Sequence, residues 1–386
     1  MSRPVNFIWA TNLKFSEVHL FVKTINKYIY KELIAPFFFG VAAFTGIFIG
    51  TDLLFELTEY YTVWGVEVLT LFKLFFLSLP SIIVLTFPMA TLLATIMAFS
   101  RLSSDGEITA LRAGGISLYK LILPALIVGL LMSGITIFMN ELVVPKANYS
   151  HKQIVYEFKH GEEMPKTQYN LYLTPLDKKN NRPDYILYTH RFDGDTGIME
   201  DVLLQEYEKG EPTSLIKAEK AEWLNNGWKF FNGSIYHLKE GERVPAMTFS
   251  EYRTRENIHE PEQISSLDKD PDDMSLKELS NYINMLEEQG RDTSEEKVRW
   301  HQHFSIPFAN FIFALLAAPL GVRPKRNSSS ATGFGISIII IFIYYGLMTV
   351  GGALGGQGTV APWFGAWLQN IFFLIIGSIL FYKVGK

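Results

Sequence analysis

Arg101–Gly115 reads RLSSDGEITALRAGG, a charged segment held between two long apolar runs. Leu71–Ser100 precedes it and Leu118–Asn140 follows, with Lys73 and Lys120 near their starts as the only charges. A helix needs about 18 or more apolar residues to cross a bilayer. The stretch therefore reads as two membrane spans joined by a short polar connector. Working outward, four more runs meet the same standard: Leu33 to about Leu54, Phe304–Val322, Ala331–Gly352 and Pro362–Tyr382. The fold class is an α-helical polytopic membrane protein with six transmembrane helices, three on each side of a large insertion. Span 2 is longer than a bilayer requires, so it is expected to tilt, or to bend at Pro80 and Pro88.

Basic residues collect on the cytoplasmic side of spans, and aromatic anchors at the interfaces. Lys14, Lys23, Lys27 and Lys31 precede span 1, and Arg101, Arg112 and Lys120 lie between spans 2 and 3. Arg323, Lys325 and Arg326 follow span 4, and Lys383 and Lys386 follow span 6. The opposite connections carry Glu59 and Glu67, or in GALGGQGTVAP no charge at all. Both termini and Arg101–Gly115 are thus expected in the cytoplasm, with Trp64, Trp363 and Trp367 at the far interface. The opening residues lack the pattern of a cleavable signal peptide, so span 1 is expected to be retained.

Hydrophobic residues make up 48% of the 386, and the net charge is only −4, which gives no footprint for nucleic acid. With no cysteine there are no disulfides, thiolate metal sites or cysteine nucleophiles.

The insertion, roughly Val144–Trp300, is polar and expected outside. YILYTHRF, DVLLQEYE, SLIKAEKAEWL, WKFFNGSIYHL and AMTFSEY read as strands, separated by the turn sequences DGDTG, KGEPT, NNG and KEGER. They predict a sandwich, a barrel or an open β-roll. Glu256–Asp273 is acidic and interrupted by proline, hence a linker. In SLKELSNYINMLEEQG, Ser275 and Glu278 form a capping box, and Leu276, Leu279, Ile283 and Leu286 make one apolar face. An amphipathic helix of about four turns is expected there, stopped by Gly290.

Chemistry is scarce. His301 and His303 in WHQHF point to different helix faces and have no further ligands nearby, so interfacial histidines are the expectation and a metal site is not. DKDPDDMSLKE lacks the glycine and spacing of a calcium loop. ALRAGGIS and GGALGGQG lack the Gly-Lys-Ser/Thr ending that cradles phosphates, so this chain is not expected to hydrolyse ATP. Gly46/Gly50, Gly351/Gly355 and Gly352/Gly356 are GxxxG pairs suited to close helix packing. The middles of the spans carry no Asp, Glu, Lys, Arg or His, whereas ion-driven transporters and intramembrane hydrolases need ionisable groups at depth. Any work of transport must come from another subunit.

That returns attention to the opening segment. Ser104 and Glu107 read as a capping box, so a helix is expected from near Asp105 to Gly114 or Gly115. Ile108 and Leu111 form its apolar face, while Glu107 and Arg112 stay polar. Such a helix, held between two spans, suits a lever for a partner protein; the plain alternative is a connector in which Glu107 only caps its own helix.

The chain resembles the permease subunits of the lipopolysaccharide export ABC transporter, the LptF/LptG (YjgP/YjgQ) family. The likeness rests on FPMATLLATIMAFSRLSSDGEITALRAGGIS, MSLKELSNYI, HFSIPFANFIFALLAAPLGVR and APWFGAWLQNIFF, in that order, and leaves out only the first twenty or so residues. It implies an N-terminal membrane half (1–143), a periplasmic β-jellyroll domain (144–270), and a C-terminal membrane half (271–386) in the bacterial inner membrane. It implies a paired related permease enclosing a cavity open to the outside, and a dimer of cytoplasmic ATPase subunits carrying the ATP and Mg. ATP-driven closure would expel lipopolysaccharide, a membrane lipid, to a periplasmic β-jellyroll bridge protein. This chain itself would bind no cofactor, metal or nucleic acid. The segment around 104–114 matches the family's coupling helix: Arg101, Ser104, Asp105, Ile108, Leu111, Arg112 and Gly114 surround Glu107, whose acidic position meets a base of the ATPase.

One departure concerns the substrate cavity, expected at Thr51, Asp52, Phe55, Glu56, Glu59 and Lys73. Family members often carry bases at the outer end of span 1, whereas this chain has three carboxylates there. Lys73, the partner permease, bridging divalent cations or a different lipid would have to compensate. Two rivals are a lipoprotein-release-type permease, which would have four spans, and a membrane-anchored scaffold or sensor of the envelope. An enzyme ranks below both.

Overall fold

The computed structural model describes residues 15–161, 167–175, 183–194, 196–208, 211–224, 227–239, 242–254, 258–261, 264, 270–322 and 330–385. The first hydrophobic segment forms one rod: α1 (Phe15–Phe48), a π-helical turn (Ile49–Leu53) and α2 (Leu54–Thr62). α3 (Val68–Ser104) passes through Pro80 and Pro88 without ending. Its 37 residues span about 55 Å at 1.5 Å per residue, well beyond a hydrocarbon core of about 30 Å. A short α4 (Glu107–Ala113) leads to α5 (Leu118–Leu142), which runs through Val143 into α6 (Val144–His160). The chain returns from the insertion through α7 (Leu276–Glu288), α8 (Ser294–Val322), α9 (Ser330–Gly356) and α10 (Pro362–Gly385). Among the described residues, six helical segments are long and apolar enough to cross a membrane, arranged three and three around the insertion.

α8 is the hub, packing against α3, α5, α9 and α10. Its apolar contacts include Ile312, Phe313 and Leu316 against Leu92, Tyr344 and Phe373. Because lipid tails are as apolar as leucine, close packing and hydrogen bonds must hold such helices together. Asn310, fully buried, supplies the bonds: its Nδ2 donates to Thr136 Oγ1 (3.2 Å) and the Pro307 carbonyl (2.9 Å), and Thr91 donates to its Oδ1 (2.9 Å). One amide thus ties α3, α5 and α8. Asn370 forms a second pin, accepting from Tyr344 (2.8 Å) and donating to the Ser305 carbonyl (2.6 Å).

In the insertion, β1 (Thr167–Leu173), β2 (Tyr185–Asp193), β3 (Ile198–Glu208), β4 (Glu211–Trp223), β5 (Trp228–Lys239) and β6 (Glu242–Arg253) form one antiparallel sheet in sequential order. Alternate residues such as Leu187, Leu204, Ile216 and Phe230 turn one face inward, closed over by Ile258, Ile264 and Met285 of α7. The five strands expected from sequence correspond to β2–β6. β1 adds an edge strand, and 144–160, placed with the β region from its polarity, is helical instead, with Pro145 at its first turn. The expected linker 256–273 lies partly outside the described residues; its end is no free linker, because Pro271–Asp273 forms a 3₁₀ turn bonded to two helices.

The contacts define two ends of the bundle. At one lie α4, residues 25–33 of α1 and the ends of α8 and α10. At the other, the α2–α3 connection packs on α6, and Gly356 and Gly358 of the α9–α10 connection approach Glu295 and Ser294.

Candidate functional site

α3 ends because Gly106 adopts φ +77°, a left-handed conformation that costs glycine little, and the chain turns directly into α4. Gly115 repeats the device at φ +86° on the way to α5. The expected capping box is absent. Ser104 still belongs to α3 and donates to the Arg101 carbonyl (2.9 Å), while Gly106 occupies the cap position. The helix therefore starts at Glu107, two residues later than expected. The Glu107 carboxylate turns away from its own backbone and accepts a hydrogen bond from Tyr28 of α1 at 3.0 Å.

Ile108 is the anchor, 4% exposed, in a cluster with Ile25, Ile29 and Leu33 of α1, Leu102 of α3, Leu118 and Leu121 of α5, and Val322 of α8. Leu111 packs at its edge. Arg101 reaches Glu32 of α1 (3.2 Å) and lies 3.7 Å from Asp105. Asp105, Thr109, Ala110, Arg112 and Gly114 face outward. The result is a two-turn helix with one apolar root in the bundle and an exposed polar back. A push on it reaches every helix that meets Ile108.

The residues expected from sequence to line a substrate cavity form a second group, at the opposite end. Thr51 and Asp52 sit in the π-helical turn, a local expansion that often marks functional positions. Both are exposed, as are Phe55, Glu56, Glu59 and Lys73. Tyr60 donates to Glu56 at 2.5 Å, and Thr51 to the Ile47 carbonyl at 3.0 Å. Among the described residues Lys73 makes no ion pair with these carboxylates. Two lysines of α6 are engaged elsewhere: Lys159 lies over the Tyr60 and Trp64 rings (5.5 and 5.7 Å), and Lys152 pairs with Asp273. Leu54, Leu57, Tyr61, Leu71, Phe72 and Phe75 border a greasy groove of about 420 Å³ between α2 and α3.

Glycine placement divides. A Cβ at Gly351 would stand 2.4 Å from the Gly365 carbonyl oxygen, and one at Gly355 2.7 Å from Val298, so both lie at close helix approaches. Among the described residues Gly46 and Gly50 have nothing within 4 Å of that position, so they bring no described helices together. His303 is half-buried, its Nδ1 3.5 Å from Glu141, and no cluster of three metal-binding side chains occurs among the described residues.

Sequence reasoning did not find the joint between the insertion and the spans. Glu141, at the end of α5, accepts from the Leu276 backbone N–H (3.1 Å) and so caps α7 from outside. Asn148 donates to Asp273 (2.9 Å), and Arg299 of α8 pairs with Asp272 and Glu295. On the sheet side, His259 Nε2 donates to Glu288 of α7 (2.8 Å), and its Nδ1 accepts from Tyr185 of β2 (2.7 Å). Apart from Arg299–Glu295, one helical turn apart, these partners lie 27 to 135 residues apart, so no local spacing signals them.

The family model for the lipopolysaccharide export system permease LptF/LptG matches residues 27–383. The chain is 21% identical over 302 residues to the lipopolysaccharide export system permease protein LptG of Escherichia coli K12, covering 78% of this chain and 82% of the relative. It is 19% identical over 362 residues to LptG of Haemophilus influenzae, covering 92% and 97%.

Proposed function

The chain belongs to the LptF/LptG family of lipopolysaccharide export permeases, and from that premise we propose that it is the membrane subunit of a heteromeric ABC exporter, driven through α4 by a separate cytoplasmic ATPase. The observation that carries this reading is the seating of α4: an exposed polar helix whose buried Ile108 belongs to an apolar cluster drawn from α1, α3, α5 and α8. The asymmetry of basic residues supports a cytoplasmic position for that end and a periplasmic one for the β domain of an inner-membrane protein.

The cycle follows from chemistry that the chain lacks. With no ionisable group in the middle of a span, it has no ion gradient to draw on, so ATP and Mg belong to the neighbouring subunit. A dimer of ATPases grips one such helix on each of two paired permeases. Closure tilts the spans and narrows the cavity, and lipopolysaccharide is expelled toward a periplasmic bridge of β-jellyroll type. Among the described residues β1 and β6 are the edge strands of the sheet, which suits continuation of the sheet into such a bridge. Gly46 and Gly50, open in this chain, suit close approach by the paired permease. Both relatives named above are LptG proteins, which supports the LptG side of the pair. The carboxylates at Asp52, Glu56 and Glu59 favour compensation of the lipid phosphates by the paired permease or by divalent cations.

Glu107→Arg tests the reading. It should leave membrane insertion intact and reduce ATPase co-purification at least tenfold, because an attractive charge-assisted contact becomes a repulsive one. Normal ATPase association together with normal lipid release in this variant would refute the coupling role.

A further inference from the structure

We infer that Tyr28 is the positioning residue of Glu107 and that, together with the Glu32–Arg101 pair, it fastens the base of span 1 to the coupling helix. The inference rests on reading α4 as the ATPase-docking element and extends it to a helix that the connectivity leaves out. By sequence, α4 joins only α3 and α5; the side chains tie it to α1 as well.

Three contacts of different kinds line one face of α1. The Tyr28 hydroxyl donates to Glu107 Oε1 at 3.0 Å. Ile29 and Leu33 pack in the cluster that seats Ile108. Glu32 accepts from Arg101, at the end of α3, at 3.2 Å. Positions 28, 29, 32 and 33 recur at helical spacing, so they form a continuous strip against the α3–α4 corner. Tyr28 is 39% exposed, so its hydroxyl is not needed to satisfy a buried core.

A carboxylate has two oxygens and about four acceptor sites. With Oε1 engaged by Tyr28, Oε2 remains for an incoming base. Holding the side chain in place before docking removes part of the ordering cost that a free glutamate would bear. The same bond makes α1 move with α4. α1 leads directly into the π-helical turn and the carboxylates Asp52 and Glu56, so displacement of the handle reaches the substrate end of span 1 through one rod.

The test uses the assembled exporter in proteoliposomes containing lipopolysaccharide. Tyr28→Phe removes a single oxygen atom. It should keep the thermal transition of the complex, weaken ATPase docking roughly three- to tenfold, as expected when one interface side chain must be ordered on docking, and lower the lipid released per ATP consumed. In a Glu107→Ala background the same substitution should have no further effect, because its partner is gone. Wild-type docking and yield per ATP in Tyr28→Phe would overturn the inference, as would an equal loss in both backgrounds. Glu107→Ala alone separates the two levels. If it weakens docking while Tyr28→Phe changes nothing, only the Tyr28 role falls; if it docks normally, the reading of α4 falls and Tyr28 with it.

Discussion

Glu107 and Ile108 are neighbours with opposite tasks, one proposed to meet the ATPase and the other rooted in the bundle. Ile108→Ala should cost about 2–4 kcal/mol, typical of truncating a buried aliphatic side chain, and should lower the thermal midpoint of the detergent-solubilised protein. A variant as stable as wild type would mean that α4 is not anchored there. Asn310→Ala should cost about 1–2 kcal/mol, since Thr91 and Thr136 lose their partner in a dry interface; thermal unfolding reads this too. The apolar stripe Ile108/Leu111 was legible because spacing of three on a short helix fixes a face. The start of α4 was misread because Ser104-x-x-Glu107 fits a capping box, while Gly106 between them supplies the left-handed turn that ends the longer helix first. Nothing local could have paired Glu107 with a tyrosine 79 residues away.

Among the elements, α7 was readable in full. Ser275 accepts from the Glu278 N–H, and Glu278 accepts from the Ser275 N–H, so the box forms as its sequence dictates. Its role lies in its two neighbours. Met285 enters the sheet core, while Met274, Leu279 and Ile283 pack with Trp300 of α8. α7 is therefore the bridge between β domain and spans, locked on one side by His259 and on the other by Glu141. His259→Ala should loosen the sheet side of this bridge and raise amide exchange in α7 several-fold while leaving exchange in α8 unchanged; equal protection in both proteins would deny His259 that role. α6 escaped notice because VPKANYSHKQIVYEFKH is too polar for a span and its apolar spacing is weak. Its helicity comes from continuing α5 and from packing Ile154, Val155 and Phe158 against Leu71 and Leu74. β1 escaped because TQYNLYL is a short edge strand, stabilised by pairing with β2 rather than by its own pattern.

At the scale of the whole molecule, the six spans and the insertion were legible because the bilayer sets a length that no soluble element needs to meet. Packing between spans was not, because residues facing lipid and residues facing other helices are equally apolar. The GxxxG pairs show this: Gly351 and Gly355 meet Gly365 and Val298, while Gly46 and Gly50 meet nothing in this chain. In the proposed exporter α4 lies on the ATPase side of the membrane and the β domain on the other. The natural sequence has no cysteine, so a single introduced thiol reports without interference. The decisive measurement is Thr109→Cys, on the exposed back of α4, treated with an impermeant maleimide and a short bifunctional cross-linker in oriented vesicles of the complex. It should label only from the cytoplasmic face and cross-link to the ATPase subunit. Labelling only from the periplasmic face would contradict the account at its base.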